Sequence, residues 1–342
     1  MTEEQPGERA PRFEDRYELG RRIGSGGTSE VFEALDRRRG CRVAVKLLTA
    51  EAAAEPGARD RFACEVRYTR DLSHPNVLSV LDHGEHEGRP FLVTELVEGR
   101  PLTALMRERR TLAAGQVFGL FEQLTRALEA VHERGLVHRD VKPDNVLVGT
   151  ADDLPVRLTD FGVAKAVSPG RGPATAQGVI LGTPAYMAPE TVAGQSVGPA
   201  ADLYALAVIL YELVVGEHPF PVASTPEMLR AHLLCEPRIP WSLHPDLRRL
   251  LERGLAKTPS ARFTSATEFR RALRGIEREI LSGAGVVPSR SGPVKMPAPS
   301  RPSGTVRAAR QARRMVVAIG VACATLITAL VVALPVLRWA SP

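Results

Sequence analysis

The hydrophobic pattern of this chain changes period once, near residue 98, and no other feature narrows its possible folds so far. Over residues 17–97, short β-prone runs at 17–23, 30–35, 42–48, 78–82 and 91–95 alternate with turn signals. One helical stretch, about 59–72, interrupts them. From about 101 to 280 the spacing is mostly helical: Phe118, Leu120, Phe121, Leu124, Leu128 and Val131 share one face, and the pattern returns at 203–215 and 247–255. The expectation is an α+β, bilobal domain over 16–280, with a small β-rich lobe carrying one helix (16–97) and a larger helical lobe (98–280).

The flanks read differently. Residues 1–15 are charged and contain Pro6, Gly7 and Pro11, a disordered leader. Glu3, Glu4 and Glu8 precede any apolar run, which does not suit a signal peptide. Residues 281–314, rich in Gly, Pro, Ser and Arg, read as a flexible basic linker. The run 315–337 then carries 23 residues without a charge. As a helix it would reach about 35 Å, enough for a hydrocarbon core of about 30 Å. The other reading, a buried helix of a soluble domain, lacks a surrounding domain to bury it on all sides. Arg307, Arg310, Arg313 and Arg314 precede the run, so the positive-inside rule keeps 1–314 cytoplasmic and leaves 338–342 as a short external tail, without an extracellular sensor domain. The linker is either a spacer or a segment that binds anionic headgroups.

Composition excludes other classes. Formal charge is +6, yet residues from 281 onward hold eight Lys/Arg and no acid, leaving 37 basic against 39 acidic residues before them. The near-neutral globular part gives no sign of a nucleic-acid partner. Cys41, Cys64, Cys235 and Cys323 are scattered, with neither disulfide nor zinc spacing. Lysine is rare, five residues against forty arginines, so a retained lysine invites a chemical reason.

Two lysines receive one. Val137-His138-Arg139-Asp140-Val141-Lys142-Pro143-Asp144-Asn145-Val146-Leu147 sets a carboxylate, an ammonium and an amide at short spacing. Asp140 can accept the proton of an attacking hydroxyl, Lys142 can stabilise a transferring phosphoryl group, and Asn145 can offer oxygen to a metal. Fifteen residues beyond Asn145, Leu158-Thr159-Asp160-Phe161-Gly162 supplies a second metal ligand, Asp160. Upstream, Ile23-Gly24-Ser25-Gly26-Gly27-Thr28-Ser29-Glu30-Val31 lies between two expected strands, where glycines let backbone N–H groups approach phosphates. Val43-Ala44-Val45-Lys46 ends a strand on a lysine able to pair with phosphate oxygens, and Glu65, mid-helix, is the carboxylate best placed to fix it. Singly, each has a bland reading: a hairpin turn, an edge lysine, a solvated glutamate. Their order and spacing together make them specific.

The combination, over about 17–278, resembles the eukaryotic-type protein kinase family, and within it the bacterial membrane-anchored serine/threonine kinases. The resemblance implies ATP, with Mg²⁺ or Mn²⁺, in a cleft between the lobes. Ile23, Gly24, Ser25, Gly26, Gly27, Thr28, Ser29 and Val31 would cover the nucleotide, although Ser29 stands where the family has a third glycine. Ala44 would line the site, Lys46 and Glu65 would pair, Glu95 and Val97 would offer hinge backbone, and Thr94 would be the gatekeeper. Asp140 matches the catalytic aspartate, Lys142 the catalytic-loop lysine, Asn145 and Asp160 the metal ligands. Asp202 would brace the catalytic loop. In the substrate-side run 182–190, Thr183 would contact Asp140 and Lys142, and Glu190 would pair with Arg262. The Lys142–Thr183 combination resembles the serine/threonine branch. Residues 163–181 match an activation loop, with Thr175 and then Ser168 as phosphosite candidates and Arg139 as the phosphate partner. The implied partners are protein substrates, ATP and a membrane, and homodimers are open to such kinases. An inactive membrane scaffold would need charged groups missing, which they are not. A small-molecule phosphotransferase would lack the 182–190 run.

Overall fold

The computed structural model of the chain describes residues 13–108, 112–151, 154–161 and 184–281. Five antiparallel strands form the first lobe: β1 (Tyr17–Ser25), β2 (Ser29–Asp36), β3 (Cys41–Leu48), β4 (Val80–His86) and β5 (Arg89–Glu95), in the order β1-β2-β3-β5-β4. Side chains alternate across a strand, so β3 serves two purposes. Val43, Val45 and Leu47 join Phe91 and Val93 in one apolar layer, while Ala44 and Lys46 face the other way. Two helices follow β3, α2 (Ala50–Ala54) and α3 (Ala58–Thr69). Phe62 and Val66 of α3 pack on Leu48, Ala52 and Leu92, which docks α3 on the side of the sheet that carries Lys46.

One expectation about the leader is corrected. Residues Phe13–Arg16 form a short helix, α1, and Phe13 is buried, stacked on His86 at 4.3 Å and edge-on to Phe91 at 4.7 Å. Arg16 bonds to Asp36 at 3.1 Å and to Asp82. A four-residue helix leaves no periodic signal, and an aromatic side chain overrides the polar composition around it.

The second lobe contains α4 (Leu102–Arg107), α5 (Ala114–Glu133), α6 (Pro189–Val192), α7 (Pro199–Val215), α8 (Thr225–Leu234), α9 (Pro245–Gly254) and α10 (Ala266–Leu281). Helix α7 is the axle: all residues from 201 to 211 are buried, so the helix is apolar nearly all round, as a central core helix must be. Each fully buried Leu or Ile there contributes about 1.5–3 kcal/mol. Helix α9 crosses α7 so closely that a Cβ on Gly254 would lie 2.6 Å from that of Ala207. Helices α5 and α10 are laced together by Arg270–Glu129 and Arg274–Glu122, each at 2.6 Å.

The helical reading of 101–280 is also refined. Strands β6 (Gly99–Pro101), β7 (Val146–Gly149) and β8 (Val156–Leu158) form a small antiparallel sheet beneath the cleft. Strands of three or four residues are too short for periodicity to reveal. This sheet joins the lobes: Leu158 N donates to Asn76 O at 2.9 Å and Leu78 N to Leu158 O at 3.0 Å. Among the described residues no helix is long and apolar enough to cross a membrane. The runs 281–314 and 315–337, except Leu281 at the end of α10, lie outside the described residues.

Candidate active site

A cleft of about 1070 Å³ opens between the two sheets. Its roof is the β1–β2 hairpin, closed at the tip by Gly26 N donating to Ser29 O at 2.8 Å. Ile23, Gly24, Ser25, Gly26, Ser29 and Val31 line the cleft, while Gly27 and Thr28 at the hairpin tip do not. Ala44, Leu92 and Thr94 form its inner wall, and Leu147 of β7 and Leu158 of β8 its floor. Sequence reasoning missed the floor. Its signal is the apolar run on either side of the polar loop.

Thr94 is buried, and its hydroxyl donates to the Glu95 carbonyl at 3.1 Å. The Glu95 N–H is committed to Ser79 O at 3.1 Å, and its carboxylate accepts from Ser79 N at 3.0 Å and from Arg157 at 3.3 Å. Glu95 and Val97 both line the cleft, and their backbone is what this edge can offer a flat heterocycle.

Charges converge at the inner end. Lys46 Nζ lies 2.9 Å from Glu65 Oε1 and 2.6 Å from Asp160 Oδ1. Burial alone would lower the Lys46 pKa, but Asp160 and Glu65 outweigh it and raise it. Burial raises the Glu65 pKa despite its partner, whereas for Asp160 the upward push of burial loses to Lys46 and the pKa falls. The residues joined here are 19 and 114 positions apart in sequence.

The polar loop lies opposite. Lys142 Nζ donates to Asp140 Oδ2 at 2.9 Å, and Asn145 Nδ2 donates to the same oxygen at 3.1 Å and to Asp140 O at 2.9 Å. The amide nitrogen of Asn145 is thereby committed to Asp140, with a longer contact to Asp160 O at 3.4 Å, so its amide oxygen is the atom left to meet a metal. One carboxylate, one amide oxygen and open space for phosphate and water suit a small divalent cation such as Mg²⁺.

This loop is held in a conformation that sequence alone would not choose. Arg139 and Asp160 have φ of 65° and 53°, a region costing a non-glycine residue of order 1 kcal/mol or more. Asp202, buried in the first turn of α7, repays this at Arg139 by accepting from Arg139 N at 2.8 Å, His138 N at 2.9 Å and His132 Nε2 at 2.8 Å. His138 is also fully buried: Nε2 bonds to Thr159 O at 2.9 Å and Nδ1 accepts from Asp140 N at 3.3 Å. Burial lowers its pKa, so the ring is neutral, as that pattern requires. His132 carries no recognisable signal in the sequence.

Of the substrate-side residues, Glu190 and Arg262 form a bidentate pair with both contacts at 2.7 Å. Ser168, Thr175 and Thr183 lie outside the described residues.

Comparison with known proteins gives concordant results. The family model described as "Protein kinase domain" matches residues 17–273. The serine/threonine-protein kinase PknA of Mycobacterium tuberculosis is 40% identical over 302 residues, covering 85% of this chain and 67% of PknA. Pkn1 of Myxococcus xanthus is 41% identical over 264 residues, 75% of this chain but 38% of Pkn1. The crystal structure of the Mycobacterium tuberculosis PknI kinase domain superposes with a TM-score of 0.57 at 31% identity, covering 76% of this chain and 95% of that one.

Proposed function

The chain belongs to the protein kinase family and is a serine/threonine protein kinase, and from that premise we propose the following assignment of its residues, metal, regulation and location. The observation that carries it is the convergence on one cleft of Lys46, Glu65, Lys142, Asn145 and Asp160, with Asp140 bonded to Lys142 and Asn145 at its border, drawn from β3, α3, the 138–145 loop and the segment after β8.

ATP lies under the β1–β2 hairpin with adenine against Thr94, Glu95 and Val97. Lys46, steadied by Glu65, meets α/β-phosphate oxygens. Asn145 and Asp160 would hold Mg²⁺, which would supply positive charge to the phosphate oxygens. A Ser or Thr hydroxyl of the protein substrate attacks the γ-phosphorus, the bond to the β–γ bridging oxygen breaks, and ADP leaves. Asp140 takes the hydroxyl proton. Lys142, already bonded to Asp140, is placed to meet the transferring phosphoryl oxygens. Thr183 and the rest of 182–190 border the substrate.

The same chemistry turned on 163–181 would phosphorylate Thr175 or Ser168, with Arg139 as the partner of the new charge. Exchange between copies would use a homodimer. The apolar run 315–337 and the arginines before it support a single-pass anchor with the kinase domain on the cytoplasmic side. Protease accessibility in intact and opened cells tests that location.

The central test is phosphate transfer by the full chain with ATP and Mg²⁺, beside Asp140→Asn. Phosphoserine or phosphothreonine in the wild type, reduced about 10²–10⁴-fold in the variant, is expected for loss of a general base. Equal transfer by both proteins would remove Asp140 from that role.

A further inference from the structure

The segment beginning at Pro184 is gripped from beneath by side chains that belong to no motif. The Ala185 carbonyl accepts from His218 Nε2 at 2.7 Å. His218 lies two residues past Gly216, the C-cap of α7, in the turn that leads toward α8. Its Nδ1 lies 3.1 Å from both the N and the O of Phe220, and because the Ala185 carbonyl can only accept, Nε2 is the donor of that bond. The turn's own backbone thus holds the far side of the ring while Nε2 reaches Ala185.

A second histidine supports the first. His232 on α8 is fully buried, its Nδ1 lies 2.8 Å from the Tyr204 hydroxyl, and its Nε2 faces the carbonyls of Ala185 and Pro184 without closing a hydrogen bond of good geometry. The His218 and His232 rings meet edge to face at 5.8 Å, with Phe220 wedged 5.1 Å from His232. On its other side the segment borders a small crevice in which Tyr186, Met187 and Ala188 share walls with Asp140 and Lys142. The carbonyl held by His218 is thus one residue from the surface that adjoins the reacting groups.

We propose that His218, braced by His232 and Phe220, is a positioning residue for the protein substrate: its hydrogen bond to the Ala185 carbonyl fixes the backbone against which the residues flanking the accepting hydroxyl rest. This rests on the reading of 182–190 as the substrate-bordering segment. The nucleotide half of the site is untouched, because no residue of this cluster lines the 1070 Å³ cleft. A defect here would therefore separate peptide from ATP.

The test uses the full chain and the best-phosphorylated member of a degenerate Ser/Thr peptide library. His218→Leu removes the donor, His218→Gln can return an N–H near the same point, and His218→Asn is too short to reach it. Loss of one hydrogen bond should raise the peptide KM about five- to tenfold in the leucine and asparagine variants. The KM for ATP and peptide-independent ATP hydrolysis should stay within about twofold, and the glutamine variant should recover most of the peptide KM. Should His218→Leu misfold, the glutamine–asparagine pair carries the same comparison. An unchanged peptide KM, a parallel rise in the ATP KM, or a glutamine variant as weak as asparagine overturns the proposal while leaving the kinase assignment intact. A wild type that hydrolyses ATP but phosphorylates no peptide overturns the substrate-side reading, and this inference with it.

Discussion

Two ion pairs, one in each lobe, are built for different tasks. Lys46–Glu65 spans β3 and α3 at 2.9 Å, with both side chains nearly one-fifth exposed at the edge of the cleft. Glu190–Arg262 joins the start of α6 to the segment after α9, with exposures of 3% and 0%. Arg262 also donates to Ala256 O at 2.7 Å, Ala200 O at 3.0 Å and Lys257 O at 3.0 Å, and lies over the Tyr204 ring at 4.8 Å. The first pair rests on a helix held by a small cluster and shares its lysine with Asp160. The second has its donors satisfied within the main core. A pair that must meet a nucleotide has to stay near water and be able to exchange partners. A pair that supports a binding surface gains by being locked, since breaking it strands a buried charge.

The largest effect should come from the locked pair. Arg262→Ala leaves the Glu190 carboxylate buried without its partner and should destabilise the full chain by about 3–5 kcal/mol, read from urea unfolding. A loss below about 1 kcal/mol, the range of surface pairs, would erase the contrast. The Glu190→Ala, Arg262→Ala double variant should lose less than the sum of the singles, because the pair acts as a unit.

Lys46→Met should do the reverse. Phosphate transfer should fall about 10²–10³-fold, as when a positioned electrostatic group is removed, while the unfolding midpoint moves little, since Asp160 is half exposed and Glu65, whose pKa burial already raises, can take up a proton. A large loss of stability with Lys46→Met would show that this pair, too, is structural.

The smallest effect concerns pH. Burial pushes the His232 pKa down to about 3, from an ordinary 6.5. The unfolded chain therefore takes up a proton that the folded chain refuses. This contribution to stability is complete above pH 6.5 and declines as pH falls toward 3, reaching about 2 kcal/mol of loss at pH 5. His232→Gln should flatten the decline in stability between pH 7 and 5 relative to wild type. An identical slope would mean the ring is protonated in the fold, and the second lobe would be less dry than its core pair implies.

Much of this arrangement is legible in the order of residues. Strand alternation places Ala44 and Lys46 on one face, and the spacing of Asp140, Lys142, Asn145 and Asp160 carries their chemistry because a loop between short strands keeps near neighbours near. Other features are not legible, for identifiable reasons. Phe13 stands in a polar leader, and only its contact with His86 and Phe91 reveals it as core. Strands β6 to β8 are too brief for a period. His132, His218 and His232 are single histidines in helical or turn sequence, and their partners Asp202, Ala185 and Tyr204 lie 70, 33 and 28 residues away.

The sequence by itself determined the kind of reaction, the two lobes and the residues that bear charge, because residue type and local spacing encode chemistry and periodicity directly. Tertiary structure alone decided which charges meet: that Lys46 bridges Glu65 and Asp160, that Asp202 holds a strained Arg139, and that His218 reaches Ala185. These contacts join elements distant in the chain, and what selects them is the packing of α3 on the sheet and of the second lobe around α7, which no local pattern records.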